Sequence, residues 1–493
     1  MSRITKVFYN YIRITTLHAV VLVLGIVSVI LLARTLGPFD YGRYSLFIFA
    51  SQLLSLFAWN WCLNPAAAKF ASEEFLKDRV ISRTFTAEIA WMAVCMAAVG
   101  LMCGIFRNSL SGFLGFDDNF IIVFIFVHLA AMGMFDLVYF CFQGSMNFRF
   151  YGKMPVWRSI LFIIPLIALY FNKALGVQFV VISLVLSYLI ATIIVWPRLM
   201  RICSIVFDKH IFRDIFDFSW VMIIFSTANF ALDWVDKFWI RKMVSVYAVG
   251  IYSAAWVLTA NFVIIPQQLY TIVMPLITSY KLENRRESIL FYLNKLVPQL
   301  SLFFSAIAAV LIILSGIFLP LMYGQKYLDS VNVFIILAVS SLFMGIKYFY
   351  NPVSTVFNYI KLTGAINVAS AVLCVGLNYA FIARFGIIGA AIGTALSSIV
   401  ACVAVAFVIN KQFDIVNFRA VYCGVPTVLV AAVCFVSKNI WVELACAAAV
   451  FLMTFLLMKK YRMFGAEDLA YIQKIDMPSW LKRGTAAFYR SFK

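Results

Sequence analysis

Residues 33–45 read ARTLGPFDYGRYS, and the runs on either side decide what they are. HAVVLVLGIVSVILLA (18–33) precedes them and LFIFASQLLSLFAWNWC (46–62) follows, both almost wholly apolar. A run of about 20 such residues crosses the hydrocarbon core of a bilayer as a helix. Residues 33–45 are then a connection between two spans. Arg34 ends the first at the headgroups, Gly37–Pro38 supplies a tight turn, and the second span starts within ten residues.

The same character runs through the chain. Of its 493 residues 64% are hydrophobic and 12% charged, and the mean hydropathy is +0.97, far outside the range of soluble domains. Lipid satisfies no backbone polar group, so repeated apolar runs of this length predict an all-α polytopic membrane protein. Apolar windows fall at 15–33, 44–63, 85–106, 119–142, 156–172, 176–196, 214–240, 247–276, 295–320, 331–357, 365–384, 386–409, 418–436 and 440–458. About 14 transmembrane helices are expected. The first window ends in LLARTLGPFD, without a small-residue cleavage pattern, and reads as a retained helix.

With the N-terminus in the cytoplasm, about three-quarters of the 40 lysines and arginines fall on the cytoplasmic side, counting a basic tail after residue 458. This positive-inside pattern places both termini there. It also accounts for the net charge of +19 through anionic headgroups, with no nucleic acid as partner. The ten cysteines lie mostly inside apolar windows without a CxxC pair, and read as small packing residues. His18, His128 and His210 are too scattered in sequence to point to a metal site, and no GxxxxGK[ST] is present. Connections of about twenty residues, such as 64–84, hold no nucleophilic triad or paired-carboxylate motif. A chain almost wholly in the membrane moves something; it is expected to be no enzyme.

A shift of 208 residues lays RTLGPFDYGRYS (34–45) over KMVSVYAVGIYS (242–253), matching Gly42, Tyr44 and Ser45 to Gly250, Tyr252 and Ser253. Both copies join an outward helix to a returning one. An even number of helices separates them, so the repeat is parallel: two six-helix lobes with a substrate site between them.

These residues resemble the Wzx-type polysaccharide and O-antigen flippases, the polysaccharide transporter family of the MOP/MATE-like superfamily. The resemblance continues through FQGSMNFRFYGK (142–153), LDWVDKFWIRKMVSVYAVGIYSAAW (232–256), LPLMYGQKYLDSVNVFIILAVSSLF (319–343) and ARFGIIGAAIGTALSS (383–398). It implies a MATE-like, V-shaped pair of six-helix lobes related by a parallel repeat, plus two additional C-terminal helices. The lobes would be 1–212 and 213–412, and 413–493 would hold helices 13–14 and the tail. The implied cargo is an undecaprenyl-diphosphate-linked oligosaccharide, an O-antigen, capsule or exopolysaccharide repeat unit. It would pass from the cytoplasmic to the periplasmic leaflet of a bacterial inner membrane. Membrane lipids, a polysaccharide polymerase and chain-length machinery are implied partners. No cofactor is implied beyond a transported H+ or Na+.

A lipid diphosphate needs basic side chains in or beside the membrane. Lys347, deep in the tenth window, is the leading candidate; snorkelling to the interface is its alternative, and Pro352 could break its helix. Arg34 and Lys242 are repeat-related and stand at helix ends, where anchoring competes with substrate contact. Arg149 and Lys153 lie at the cytoplasmic mouth, and Lys237 and Arg241 near the end of the seventh window. Glu88, Asp136, Asp233 and Asp236 are the carboxylates at depth and candidates for ion coupling. Asp236 matches a recurring acidic position of the family, with a salt-bridged helix end as its alternative. By analogy with relatives, Asn378 and Thr394 could join a cation site. Gly389-xxx-Gly393 reads as close helix packing. A MATE-type cation-coupled multidrug efflux transporter is the alternative function, and a membrane-embedded glycan polymerase or ligase a more remote one.

Overall fold

The computed structural model describes residues 3–116, 120–171, 176–415, 418–437 and 439–460. Of the expected basic tail, 459–493, residues 461–493 lie outside the described residues. Within them every regular element is helical. Ten helices are long and apolar enough to cross a bilayer. The number is eleven if Lys209–Ser219 and Met222–Met243, bent by 48° at their junction, count as one span. The protein is therefore an all-α polytopic membrane protein.

Two helices, Arg3–Ser55 and Ile360–Gln412, each run for 53 residues. At 1.5 Å per residue that is about 80 Å, well over twice the hydrocarbon thickness. Each is divided by a single glycine with non-helical backbone, Gly37 (φ 71°, ψ 171°) and Gly386 (φ 57°, ψ −134°). The expected turn at Gly37–Pro38 is thus one residue long. Glycine enters the left-handed region without a Cβ clash, and Pro38 presets the φ of the first residue beyond it.

Elsewhere the helices run further than the apolar windows. The expected connection 64–84 is helical from Leu63 to Asp78, including a π-helical turn at Ala67–Ala71, and ends on left-handed Arg79. Glu74 closes this corner: its carboxylate accepts from the N–H groups of Arg83 (2.8 Å) and Thr84 (2.9 Å), capping Ser82–Ile105. Pro352 does not break its helix, which continues from Ser330 through Val356.

The chain forms two compact units. The first comprises Met1–Asn261, Phe318–Val333 and Asn367–Thr394. Here the two repeat copies touch each other. A Cβ at Gly42 would collide with the Val246 carbonyl, and one at Gly250 with the Pro38 carbonyl, so the backbones are as close as glycine permits. Buried Tyr41 packs on Tyr327, whose hydroxyl donates to the Ala33 carbonyl (3.0 Å). Gly389 meets the Phe381 backbone with equal closeness, and Gly393 approaches Asn378, the packing expected of that glycine pair. Near the short helix Lys209–Ser219, Trp91 stacks on Phe212 (4.4 Å, 4°) and donates its indole N–H to the Phe212 carbonyl (2.9 Å).

The second unit comprises Phe262–Ile317, Phe334–Ile366 and Ala395–Lys493. Phe262 stacks on Phe304 at 4.0 Å, and Gly345 leaves room for the Phe304 ring. Tyr292 donates to the Phe349 carbonyl (2.7 Å). Thr427 donates to the Ser305 carbonyl (2.8 Å), tying Val425–Val436 to Val297–Tyr323. Each such bond satisfies a polar group that lipid would leave unpaired.

Candidate functional site

The first unit contains a half-open cavity of about 260 Å³. Its wall includes Tyr44, Ser45 and Gln52 beyond the Gly37 kink, and His128, Arg158 and Tyr188 from the helices that follow. Trp234 and Lys237 of Met222–Met243, and Ser253 and Trp256 of Val246–Leu282, complete it. Tyr44 and Ser45 belong to one repeat copy and Ser253 to the other, so the glycine contact and the cavity wall share the same short segments.

Two cations face this space, and they differ. Lys237 is 1% exposed and held from several sides. Its Nζ lies 3.6 Å from Asp236 Oδ1 and donates to the Asp233 carbonyl at 3.2 Å. It also sits 3.6 Å from the Trp256 ring centre and 4.5 Å from that of Trp234. A buried ammonium is tolerable only when paired, and an aromatic face adds attraction. Arg158 donates to Tyr188 Oη (3.1 Å) and lies over the same ring (5.0 Å). Among the described residues it makes no salt bridge, so it is the cavity cation without a bonded counter-charge. Planar and always charged, a guanidinium in that position fits an oxyanion with two parallel bonds.

His128, 2% exposed, shares a hydrogen bond with Ser51 through Nδ1 (3.0 Å) and packs between Phe47 and Tyr188. Its Nε2 and the Ser253 hydroxyl are buried without a hydrogen-bond partner among the described residues.

The anticipated residues fall in several places. Lys237 is on the cavity wall. Lys347 is buried in the second unit, beside Cys402, and is not among the cavity-lining residues. Arg34 and Arg149 are exposed, and Lys153 is half-buried. Arg241 is half-buried and donates to the carbonyls of Phe113 and Gly112 (2.8 Å to the latter), closing the C-terminal end of Arg107–Leu114.

The carboxylates separate as well. Asp236 is enclosed: it accepts from the Tyr252 hydroxyl and the Lys237 N–H (2.7 Å), besides its ion pair with Lys237. Thr394 and Cys374 neighbour Tyr252, and Asn378 donates to the Cys374 carbonyl (2.9 Å). Asp236 and Thr394 thus meet at Tyr252, while Asn378 is bonded to its neighbour Cys374. Asp136 accepts from the Trp59 indole N–H (3.1 Å). Glu88 is fully buried beside Cys62 and Cys203, with neither carboxyl oxygen hydrogen-bonded among the described residues.

Sequence reasoning missed Arg158, His128 and Ser253. Arg158 had a signal: it sits ten residues into Phe148–Phe171 and is followed by SILFIIPLIALYF, an intramembrane charge by position. His128 and Ser253 had none, because only packing leaves their polar atoms unclaimed.

A family model described as "Polysaccharide biosynthesis protein" matches residues 7–281, and the chain belongs to that family. It is 26% identical over 232 residues to the probable low-salt glycan biosynthesis flippase Agl15 of Haloferax volcanii. That match covers 46% of this chain and 49% of the relative, so the chain spans about half the length of the relative it matches. Among solved structures it resembles the lipid II flippase MurJ in an inward closed conformation. The TM-score is 0.70 at 14% identity, over 91% of this chain and 99% of that one. It also resembles an inward-facing multidrug resistance MATE transporter of the MOP superfamily, with TM-score 0.63 and 14% identity over 79% and 94% of the two chains. The fold is MurJ- and MATE-like.

Proposed function

We propose that this protein is a flippase for an undecaprenyl-diphosphate-linked oligosaccharide, carrying it from the cytoplasmic to the periplasmic leaflet by ion-coupled alternating access. The observation that carries this reading is Arg158, a half-buried guanidinium on the cavity wall that makes no salt bridge among the described residues. A half-buried charge held only by a neutral hydroxyl and a ring gains from a charged partner that arrives to share it. A diphosphate headgroup supplies that partner and leaves again, as a transported group must. Membership of the family and the flippase name of the halophile relative support the same cargo class. An organic cation, the cargo of the efflux alternative, would be repelled by Arg158.

In this reading the chain has 14 spans, in lobes 1–212 and 213–412 with two further helices. Division of the two 53-residue helices at Gly37 and Gly386, and the shorter apolar helix Ile440–Phe455, support that count. Both termini face the cytoplasm of a bacterial cell and the chain lies in the inner membrane, where a polymerase and chain-length machinery would take the delivered unit. Lys347, Arg34, Arg149, Lys153, Lys237 and Arg241 assist along the path. Glu88, Asp136, Asp233 and Asp236, with Asn378 and Thr394, are the groups that bind the coupling H+ or Na+.

The test is reconstitution in vesicles carrying a fluorescently labelled undecaprenyl-diphosphate oligosaccharide, with a membrane-impermeant quencher outside. The protein should move label between leaflets, faster under an ion gradient, and Arg158→Ala should abolish the movement. Label that stays put in the presence of wild-type protein would refute the reading.

A further inference from the structure

We propose that the cavity reads one sugar: His128 Nε2 and Ser253 Oγ are hydrogen-bonding partners for the hydroxyls of a neutral pyranose, the ring attached directly to the diphosphate. This deepens the flippase reading and rests on it.

The argument begins with the two unclaimed atoms. A buried donor or acceptor without a partner costs about 1–3 kcal/mol, and native structures leave few of them. Here two residues with such atoms line one cavity, His128 at 2% and Ser253 at 1% exposure, on helices more than a hundred residues apart in sequence. His128 is held in place by Ser51 at Nδ1 and by the rings of Phe47 and Tyr188. Its free nitrogen therefore has a fixed position, as a selective contact requires. The surrounding wall is aromatic, with Tyr44, Trp234 and Trp256, and offers apolar surface to the C–H face of a sugar ring.

Charge decides between a neutral and an acidic ring. Lys237 is already paired with Asp236, which leaves Arg158 as the cavity cation without a salt bridge among the described residues. If Arg158 meets the diphosphate, the remaining polar atoms are single uncharged donors or acceptors. That set matches hydroxyls and offers a sugar carboxylate no free cation. A ring next to the diphosphate is the part of the cargo that stays within reach while Arg158 holds the headgroup.

The experiment uses the full chain in nanodiscs and short-chain probes: citronellyl diphosphate alone, and the same lipid bearing glucose, galactose, N-acetylglucosamine or glucuronate. Binding is read from tryptophan fluorescence, since Trp234 and Trp256 line the site. At least one neutral glycosylated probe should bind about tenfold tighter than the bare diphosphate, the order expected for one or two added hydrogen bonds. His128→Ala and Ser253→Ala should each remove most of that advantage, read within each variant as the ratio of glycosylated to bare-diphosphate affinity. Arg158→Ala should weaken all probes alike. His128→Gln, which keeps a polar atom near the Nε2 position, should restore part of the advantage, and unchanged melting temperatures show that the variants are folded. An advantage that survives both substitutions, or is greatest for glucuronate, overturns the sugar-reading proposal and leaves the flippase reading standing. Failure of wild-type protein to bind any probe, the bare diphosphate included, overturns the flippase reading itself.

Discussion

Lys237 and Asp236 form an ion pair whose side chains are 1% and 2% exposed, with Tyr252 and Trp256 closing the remaining sides. Removing one partner of such a pair strands the other charge at a cost of about 3–5 kcal/mol, whereas removing both costs far less. Lys237→Met should therefore lower the melting temperature in detergent sharply, and Asp236→Asn with Lys237→Met should recover most of the loss. Equal melting temperatures for the single and double variants would contradict that account. Asp136 tests a different role. Asn at this position still accepts from the Trp59 indole, so Asp136→Asn should keep the fold while flattening the response of transport to a proton gradient. An unchanged response would remove Asp136 from coupling. At this scale the sequence was only partly legible. Lys237 announces itself as a charge in an apolar window, and so does Arg158 once helix bounds are known. What each charge touches depends on partners that sequence distance hides: Tyr188 lies 30 residues from Arg158, and Ser51 lies 77 from His128.

Helices in this protein meet where glycine lets them. Gly42 and Gly250, equivalent positions of the 208-residue repeat, bring their backbones together, and a Cβ on either would strike a carbonyl. Gly250→Ala should destabilise the fold by about 1–3 kcal/mol, as overpacking does, and impair transport. Gly25→Ala is the control, since an added Cβ there meets nothing within 4 Å and should be tolerated although Gly25 lines the cavity. Equal effects of the two substitutions would contradict the packing account. Here the sequence was highly legible. The repeat shows in the GRYS and GIYS segments because the same steric demand recurs in both copies. The apolar windows likewise located most helices, since lipid imposes one period and one length. Less legible was continuity: Gly37 and Gly386 are single-residue breaks, while Leu63–Asp78 stays helical despite its polar residues.

The whole molecule belongs to the polysaccharide biosynthesis protein family and has a MurJ- and MATE-like fold, as the motif series 142–153, 232–256 and 383–398 led us to expect. Fold alone does not choose a cargo, because flippases and drug exporters share it. The proposed cargo rests on the cavity, where a guanidinium suits an anionic headgroup and aromatic rings suit a glycan. The most direct measurement is made in a strain lacking this protein: lipid-linked oligosaccharide is quantified on each leaflet, and drug tolerance is scored in parallel. The account predicts single repeat units accumulating on the cytoplasmic leaflet with normal drug tolerance, reversed by the wild-type chain and not by Arg158→Ala. Normal glycan export with lost drug tolerance would contradict it, leaving the fold in place and the cargo wrong.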